Sequence, residues 1–158
     1  MPPFGRSVGF LLSQTGDATA HRFKDALVDL AIEPRHFGVM RAIQAAENRS
    51  QQALAETLNI PASSMVALLD QLETRRLVAR HLDPNDRRVR VVEITDEGRE
   101  LLRRATEVAM EIEQLVCGDL SGDERRELIA LLQRVARNLD LRFGVHPSVG
   151  DPHAHDPH

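Results

Sequence analysis

Residues 50–98, SQQALAETLNIPASSMVALLDQLETRRLVARHLDPNDRRVRVVEITDEG, carry the reading on which the rest of the fold depends. Over residues 51–58, Ala53, Leu54 and Leu58 recur at helical spacing. Asn59-Ile60-Pro61 ends that run, because proline has no N–H to donate and suits the first position of a following helix. On this second helix, at about 100° per residue, Met65, Leu68, Leu69 and Leu72 share one face. Ser63, Ala67, Asp70 and Thr74 take the opposite face, flanked by Ser64, Val66 and Gln71. A short β-hairpin follows, with Asp83-Pro84-Asn85-Asp86-Arg87-Arg88 at its tip. Helix, turn, helix and hairpin together read as a winged helix-turn-helix. Small and polar side chains on an exposed helix face permit close approach to a groove wall, and a DNA major groove about 12 Å wide admits such a helix.

Working outward, the 158 residues fit one domain with room for a real core. The net charge of −4 argues against a histone-like, non-specific nucleic-acid binder. Charge is uneven, however: residues 49–90 hold seven arginines against five acids. A locally basic segment in an acidic protein suits reading by base contacts with modest phosphate attraction, and is equally compatible with an ordinary solvated surface. With no Trp or Tyr, stacking platforms for single strands are not expected. The lone Cys117 excludes an intramolecular disulfide, a CxxC redox pair or a Cys-rich zinc site. No run of 18 apolar residues and no secretory signal pattern is present, so a cytoplasmic protein is expected.

On the N-terminal side, Val8, Leu11, Leu12, Thr15, Phe23, Ala26, Leu27 and Leu30 predict a long amphipathic helix ending near Ala31. After Glu33-Pro34, residues 35–46 predict a second helix with Phe37, Met40 and Ile43 inward. Beyond the hairpin, Thr95-Asp96-Glu97 opens a helix with acids in its first turn, as the helix dipole favours. Its stripe of Leu101, Leu102, Ala105, Val108, Ala109, Ile112, Leu115 and Val116 covers about 20 residues, or ~30 Å. A small winged domain cannot cover that length. Ser121-Gly122-Asp123-Glu124 is a capping box that starts a last helix, with Leu128, Leu131, Leu132, Val135, Leu139 and Phe143 inward. These outer stripes form either an intramolecular bundle or a dimer seam. The residues after Phe143, GVHPSVGDPHAHDPH, are almost free of apolar side chains and are expected to be disordered.

The winged stretch resembles the MarR family of bacterial transcription regulators. The resemblance rests on Leu68-Leu69-Asp70-Gln71-Leu72-Glu73, Leu77-Val78, the wing Asp83-Pro84-x-Asp86-Arg87-Arg88, and Ile94-Thr95-x-x-Gly98. It covers residues 8–143 and implies a mainly α protein with a small β-hairpin wing. Residues 35–95 would be the winged helix-turn-helix, 8–32 and 96–143 the dimerisation helices, and 144–158 a disordered tail. The resemblance implies a homodimer seated on the two half-sites of a pseudo-palindromic DNA duplex, about 34–36 Å apart. Its seam would hold Leu11, Leu12, Val108, Ile112, Leu115, Leu128, Leu132, Val135 and Leu139.

Site residues follow from both readings. Asp86-x-Arg88 matches the family's wing motif, which implies that Arg88 enters the minor groove, where negative potential is deepest. Arg87 is a candidate for phosphate contact or for pairing with Asp70 or Asp86. On the second helix of the motif, Ser63, Ser64, Val66, Ala67 and Gln71 are candidate DNA contacts, with helix capping the alternative for the two serines. The family often carries Thr and Arg where this chain has Val66 and Ala67, which makes readout more apolar here. Arg76 stands where the family usually has Gly, at a helix end that favours a left-handed backbone. An effector pocket between the dimer helices and the winged unit is implied, with Phe10, Gln14, His21, His36 and Met40 as candidate lining and a small aromatic or apolar acid as ligand. Ordinary core or interface is the competing reading of those five.

No metal site and no cofactor is expected. His153-x-His155 lies in a tail with no preformed geometry, and Cys117 reads as a buried or interfacial thiol. The sequence holds no phosphate loop, nucleophile elbow or convergent carboxylate pair, so an enzyme is not expected. The expected function is a sequence-specific, double-stranded-DNA-binding regulator, a homodimeric repressor released by a small molecule. The alternative is a winged-helix module that binds protein.

Overall fold

A computed structural model describes residues 4–46, 49–142, 144–146 and 149. Helix α1 spans Val8–Ala26, α2 Pro34–Ala45, α3 Gln51–Leu58, α4 Ala62–Thr74, α5 Asp96–Cys117 and α6 Gly122–Asn138. The strands are β1 (Arg49–Ser50), β2 (Val78–Leu82) and β3 (Arg90–Ile94), in sheet order β1-β3-β2 and antiparallel throughout. The wing is therefore a three-stranded sheet; β1, of two residues, is too short to show a period in sequence.

The core sits where α2, α3, α4 and the sheet converge. Met65, Leu68, Leu69 and Leu72 of α4 are buried, as are Phe37, Met40 and Ile43 of α2 and Leu54 and Leu58 of α3. Asn59 ends α3 in the left-handed region, φ 54°, and Ile60 N–H returns to the Ala55 carbonyl. This closure carries the turn, with Pro61 standing just before α4 rather than inside it.

Two further expectations need correction. Helix α1 does not run to Ala31: it stops at Ala26, and a 3₁₀ turn over Val28–Leu30 leads to Ala31 at φ 52°. The change of path buries Leu27, Leu30 and Ile32 together, which one continuous helix face cannot do. Arg75 closes the turn by donating to the carbonyls of Leu30 (3.2 Å) and Ala31 (2.5 Å). In the segment expected to be a disordered tail, Val149 is buried, 5 % exposed, and belongs to the core cluster, with Val145 packed against it. Arg142 leads that segment across α3 by donating to the Glu56 carbonyl at 3.1 Å. The expectations for Phe143 and for residues 147, 148 and 150–158 lie outside the described residues, His153 and His155 included.

Helices α5 and α6 leave the core as they lengthen. Leu102 and Ala105 are buried at the start of α5, Val108 and Ile112 are half-buried, and Leu115 and Val116 are exposed. Along α6 no residue is buried: Leu128, Ile129, Leu131, Leu132 and the following Leu139 are exposed. Leu11 at the start of α1 is exposed too. The capping box of Ser121 and Glu124 starts α6, with Ser121 N–H donating to the glutamate at 2.8 Å.

Candidate nucleic-acid interface

Helix α4 presents Ser63, Val66, Ala67 and Gln71 to solvent, with Ser64 half-buried beside them. Neither serine caps the helix: the N-cap is Pro61, with no side-chain cap bond, so both hydroxyls are left for other partners. The C-terminus of α4 is closed by a Schellman motif. Leu77 N–H bonds the Leu72 carbonyl at 2.9 Å, and Arg76 N–H bonds that of Glu73 at 2.8 Å. Arg76 is left-handed at φ 59°, the conformation its place in the sequence predicts.

The wing is anchored at its base and organised at its tip. Arg80 on β2 donates to Glu73 through its backbone N–H (3.1 Å), Nε (3.1 Å) and Nη2 (2.6 Å), and to Asp70 at 2.5 Å. This charge-assisted cluster fixes the hairpin against the exposed side of α4. Arg80 holds the Glu73 carboxyl below its ordinary pKa. It also takes the partner that was considered for Arg87: Asp70 pairs with Arg80, and Arg87 is exposed without an ion pair among the described residues.

At the tip, the Asp83 carboxylate accepts from the N–H groups of Asn85 (2.7 Å) and Asp86 (3.3 Å). Asp86 in turn accepts from the backbone N–H (3.0 Å), Nε (3.1 Å) and Nη2 (3.2 Å) of Arg88. The Arg88 side chain is nevertheless 91 % exposed. A guanidinium aimed outward and held by its own turn is poised to meet an anion. The same bonds lower the Asp86 pKa, first through the Arg88 side chain and then through its backbone N–H.

Comparison with known proteins decides the family. A model described as MarR family matches residues 32–89. A protein of Thauera aromatica named for regulation of the hcr operon is 31 % identical over 131 residues, spanning 82 % of this chain and 79 % of that one. The chain belongs to the MarR family. Among family structures, the transcriptional repressor CouR bound to a 23-mer DNA duplex superposes with a TM-score of 0.76 at 31 % identity, covering 87 % of this chain and 97 % of that chain. CouR from Rhodococcus jostii RHA1 bound to p-coumaroyl-CoA gives a TM-score of 0.72 at 29 % identity, covering 86 % and 96 %.

In this MarR-family chain a cavity of about 420 Å³ opens between α1, α2, α3 and the C-terminal segment. Its walls include Phe23, Phe37, Ala42, Leu58 and Val149, with the Arg41 guanidinium 5.8 Å from the Phe37 ring centre. The rings of Phe23 and Phe37 meet edge to face, 5.4 Å apart. None of the five residues expected to line a pocket lies on it. Met40 is fully buried in the core. His36 turns toward α4, and Phe10 and Gln14 lie nearer the start of α1 than any wall residue that helix supplies. His21 is half-buried with Nδ1 2.9 Å from the Asp17 carbonyl oxygen. Helical periodicity identifies the inward faces of α1 and α2 but not the side on which they part; Phe23 and Phe37 are the signal that marks it. Among the described residues no group of His, Cys, Asp and Glu is placed to hold a metal ion, and no helix is long and apolar enough to cross a membrane.

Proposed function

We propose that the protein is a homodimeric repressor that reads a pseudo-palindromic DNA duplex and lets go of it when a small apolar acid binds. The observation that carries this reading is the wing tip, where Asp86 presents an exposed Arg88 while Arg80 fixes the hairpin to α4. Likeness to a repressor bound to DNA supports it. Helix α4 enters the major groove with Ser63, Ser64, Val66, Ala67 and Gln71. Arg88 enters the minor groove and Arg87 meets the phosphates. The absence of a hydroxyl or guanidinium at Val66 and Ala67 favours thymine methyl groups as neighbours.

The exposed stripes supply the second half of the reading. Leu11, Leu12, Val108, Ile112, Leu115, Leu128, Leu132, Val135 and Leu139 form the seam of a two-fold dimer. A contiguous apolar surface of this kind is rarely left in water, and a two-fold pair sets two α4 helices on successive half-sites.

The Phe23–Phe37 cleft takes the effector: an aromatic or apolar acid, or its acyl thioester, with the ring among the phenylalanines and the anionic group at Arg41. The p-coumaroyl-CoA held by CouR is of this chemical class. By occupying the cleft, such a ligand shifts the population toward a half-site spacing that misses the duplex.

The testing experiment selects fragments from sheared genomic DNA with purified protein at physiological salt, alongside a light-scattering mass. Enrichment of a short inverted repeat by a dimer is the expected result. Weak, salt-sensitive binding with no enriched site would overturn the reading.

A further inference from the structure

The His36 ring sits between two fixed partners. The backbone N–H of Glu33 donates to Nδ1 at 3.1 Å, and Nε2 lies 2.8 Å from Oε1 of Gln71 on α4. A peptide N–H is a donor only, so Nδ1 has to accept, and the neutral ring carries its proton on Nε2. That proton is donated to Gln71. The bond settles the orientation of the amide: Oε1 faces the histidine, and the NH₂ group faces away.

This changes what Gln71 can read. A glutamine that recognises adenine uses its oxygen and nitrogen together on N6 and N7. Here the oxygen is engaged by α2, and the group left facing outward is a donor. Gln71 itself is exposed, while His36 is half-buried. Burial lowers the imidazole pKa below 6.5; the Gln71 bond and Glu33 oppose that lowering, and Arg35 and Arg75 add to it. The neutral ring, the form that makes both bonds, is thus the one present at neutral pH.

We propose that His36 is a positioning residue for DNA reading, which holds Gln71 so that its amide NH₂ meets a hydrogen-bond acceptor on the duplex, a phosphate oxygen or the O6/N7 edge of a guanine. The proposal rests on the reading of α4 as the DNA-contacting helix. It also joins α2, a wall of the Phe23–Phe37 cleft, to that helix by a direct bond.

A double-mutant cycle on the selected duplex tests it, with unfolding curves and dimer mass recorded for each variant. His36→Leu and Gln71→Ala each weaken binding by about tenfold, the scale of one well-placed hydrogen bond. The double variant binds no more than about twofold worse than either single one, because His36 acts only through Gln71. His36→Gln, which keeps an acceptor for Glu33 and a donor for Gln71, restores most of the affinity. In Gln71→Ala, loss of base preference at one position identifies a guanine edge. A drop of about one in the salt slope with preferences unchanged identifies a phosphate. Additive losses, or wild-type affinity in Gln71→Ala, would overturn the proposal. If the wild-type protein selects no duplex at all, the DNA reading itself has failed, and the proposal fails with it.

Discussion

The Thr95 hydroxyl donates to the Arg76 carbonyl at 2.7 Å and, as N-cap of α5, accepts from Gly98 N–H at 3.0 Å. One side chain therefore joins the end of α4 to the start of the long helix α5 that leads away from it. Arg76 takes part while held at φ 59°, a conformation that costs a non-glycine residue energy. Replacing Arg76 with Gly is expected to stabilise the fold by about 0.5–1 kcal/mol. Thr95→Val removes the cap and costs about 1–2 kcal/mol. Urea unfolding monitored by circular dichroism reads both changes.

Gly98 explains the last residue of the Ile-Thr-x-x-Gly motif. A Cβ built there would lie 2.0 Å from the Leu77 carbonyl oxygen and 2.8 Å from Ile94 Cγ1. Gly98→Ala must push α5 away from the sheet, at a cost of about 2–3 kcal/mol. A melting temperature unchanged from wild type would show that the joint is looser than this packing implies.

At the wing tip, Arg88→Ala is expected to weaken operator binding by about 10- to 100-fold. The side chain touches only its own turn, so stability should stay within about 0.5 kcal/mol. A mobility-shift titration beside a thermal melt separates the two effects; unchanged affinity would remove Arg88 from the interface.

Two titrations give the fold an acid limit. Neutral His36 is favoured in the folded state, because burial pushes its pKa below 6.5. Its contribution is present above pH 6.5 and is lost as pH falls from there through the lower folded value. Glu73 behaves as a depressed carboxylate: hydrogen bonding from Arg80 holds it below 4.5, so its stability is present above that pH and lost on further acidification. Unfolding free energies measured from pH 7.5 to 3.5 should therefore fall in two stages. Arg80→Met should make the lower stage shallower, with the part due to Asp86 and the other lowered carboxylates remaining, and leave the upper one in place.

Much of this was legible in the chain. The inward face of α4 and the capping box at Ser121 follow from local spacing and local chemistry, while the family resemblance pointed to the wing arginine Arg88 and to a left-handed backbone at Arg76. What escaped the sequence depends on distant partners. The two residues of β1 gain their identity only by pairing with β3. The 3₁₀ turn that follows α1 is closed by Arg75, more than forty positions away, which satisfies the carbonyls of Leu30 and Ala31. Composition marks the C-terminal segment as polar, yet Val149 finds the one place on α2, Gly38, where no side chain stands in its way. His36 was a candidate for the pocket that the family resemblance implies; that it faces Gln71 follows only from how α2 and α4 cross.

The uncovered leucines of α5 and α6 make concentration a structural variable. In the proposed dimer, whose outer helices are completed by a twin, the melting point would rise with protein concentration. Each newly made copy would expose those leucines until it met another, so encounter would be the final step of its assembly. Below some abundance the cell would hold chains but no reader of the duplex, and occupancy of the operator would rise more steeply than the amount of protein made.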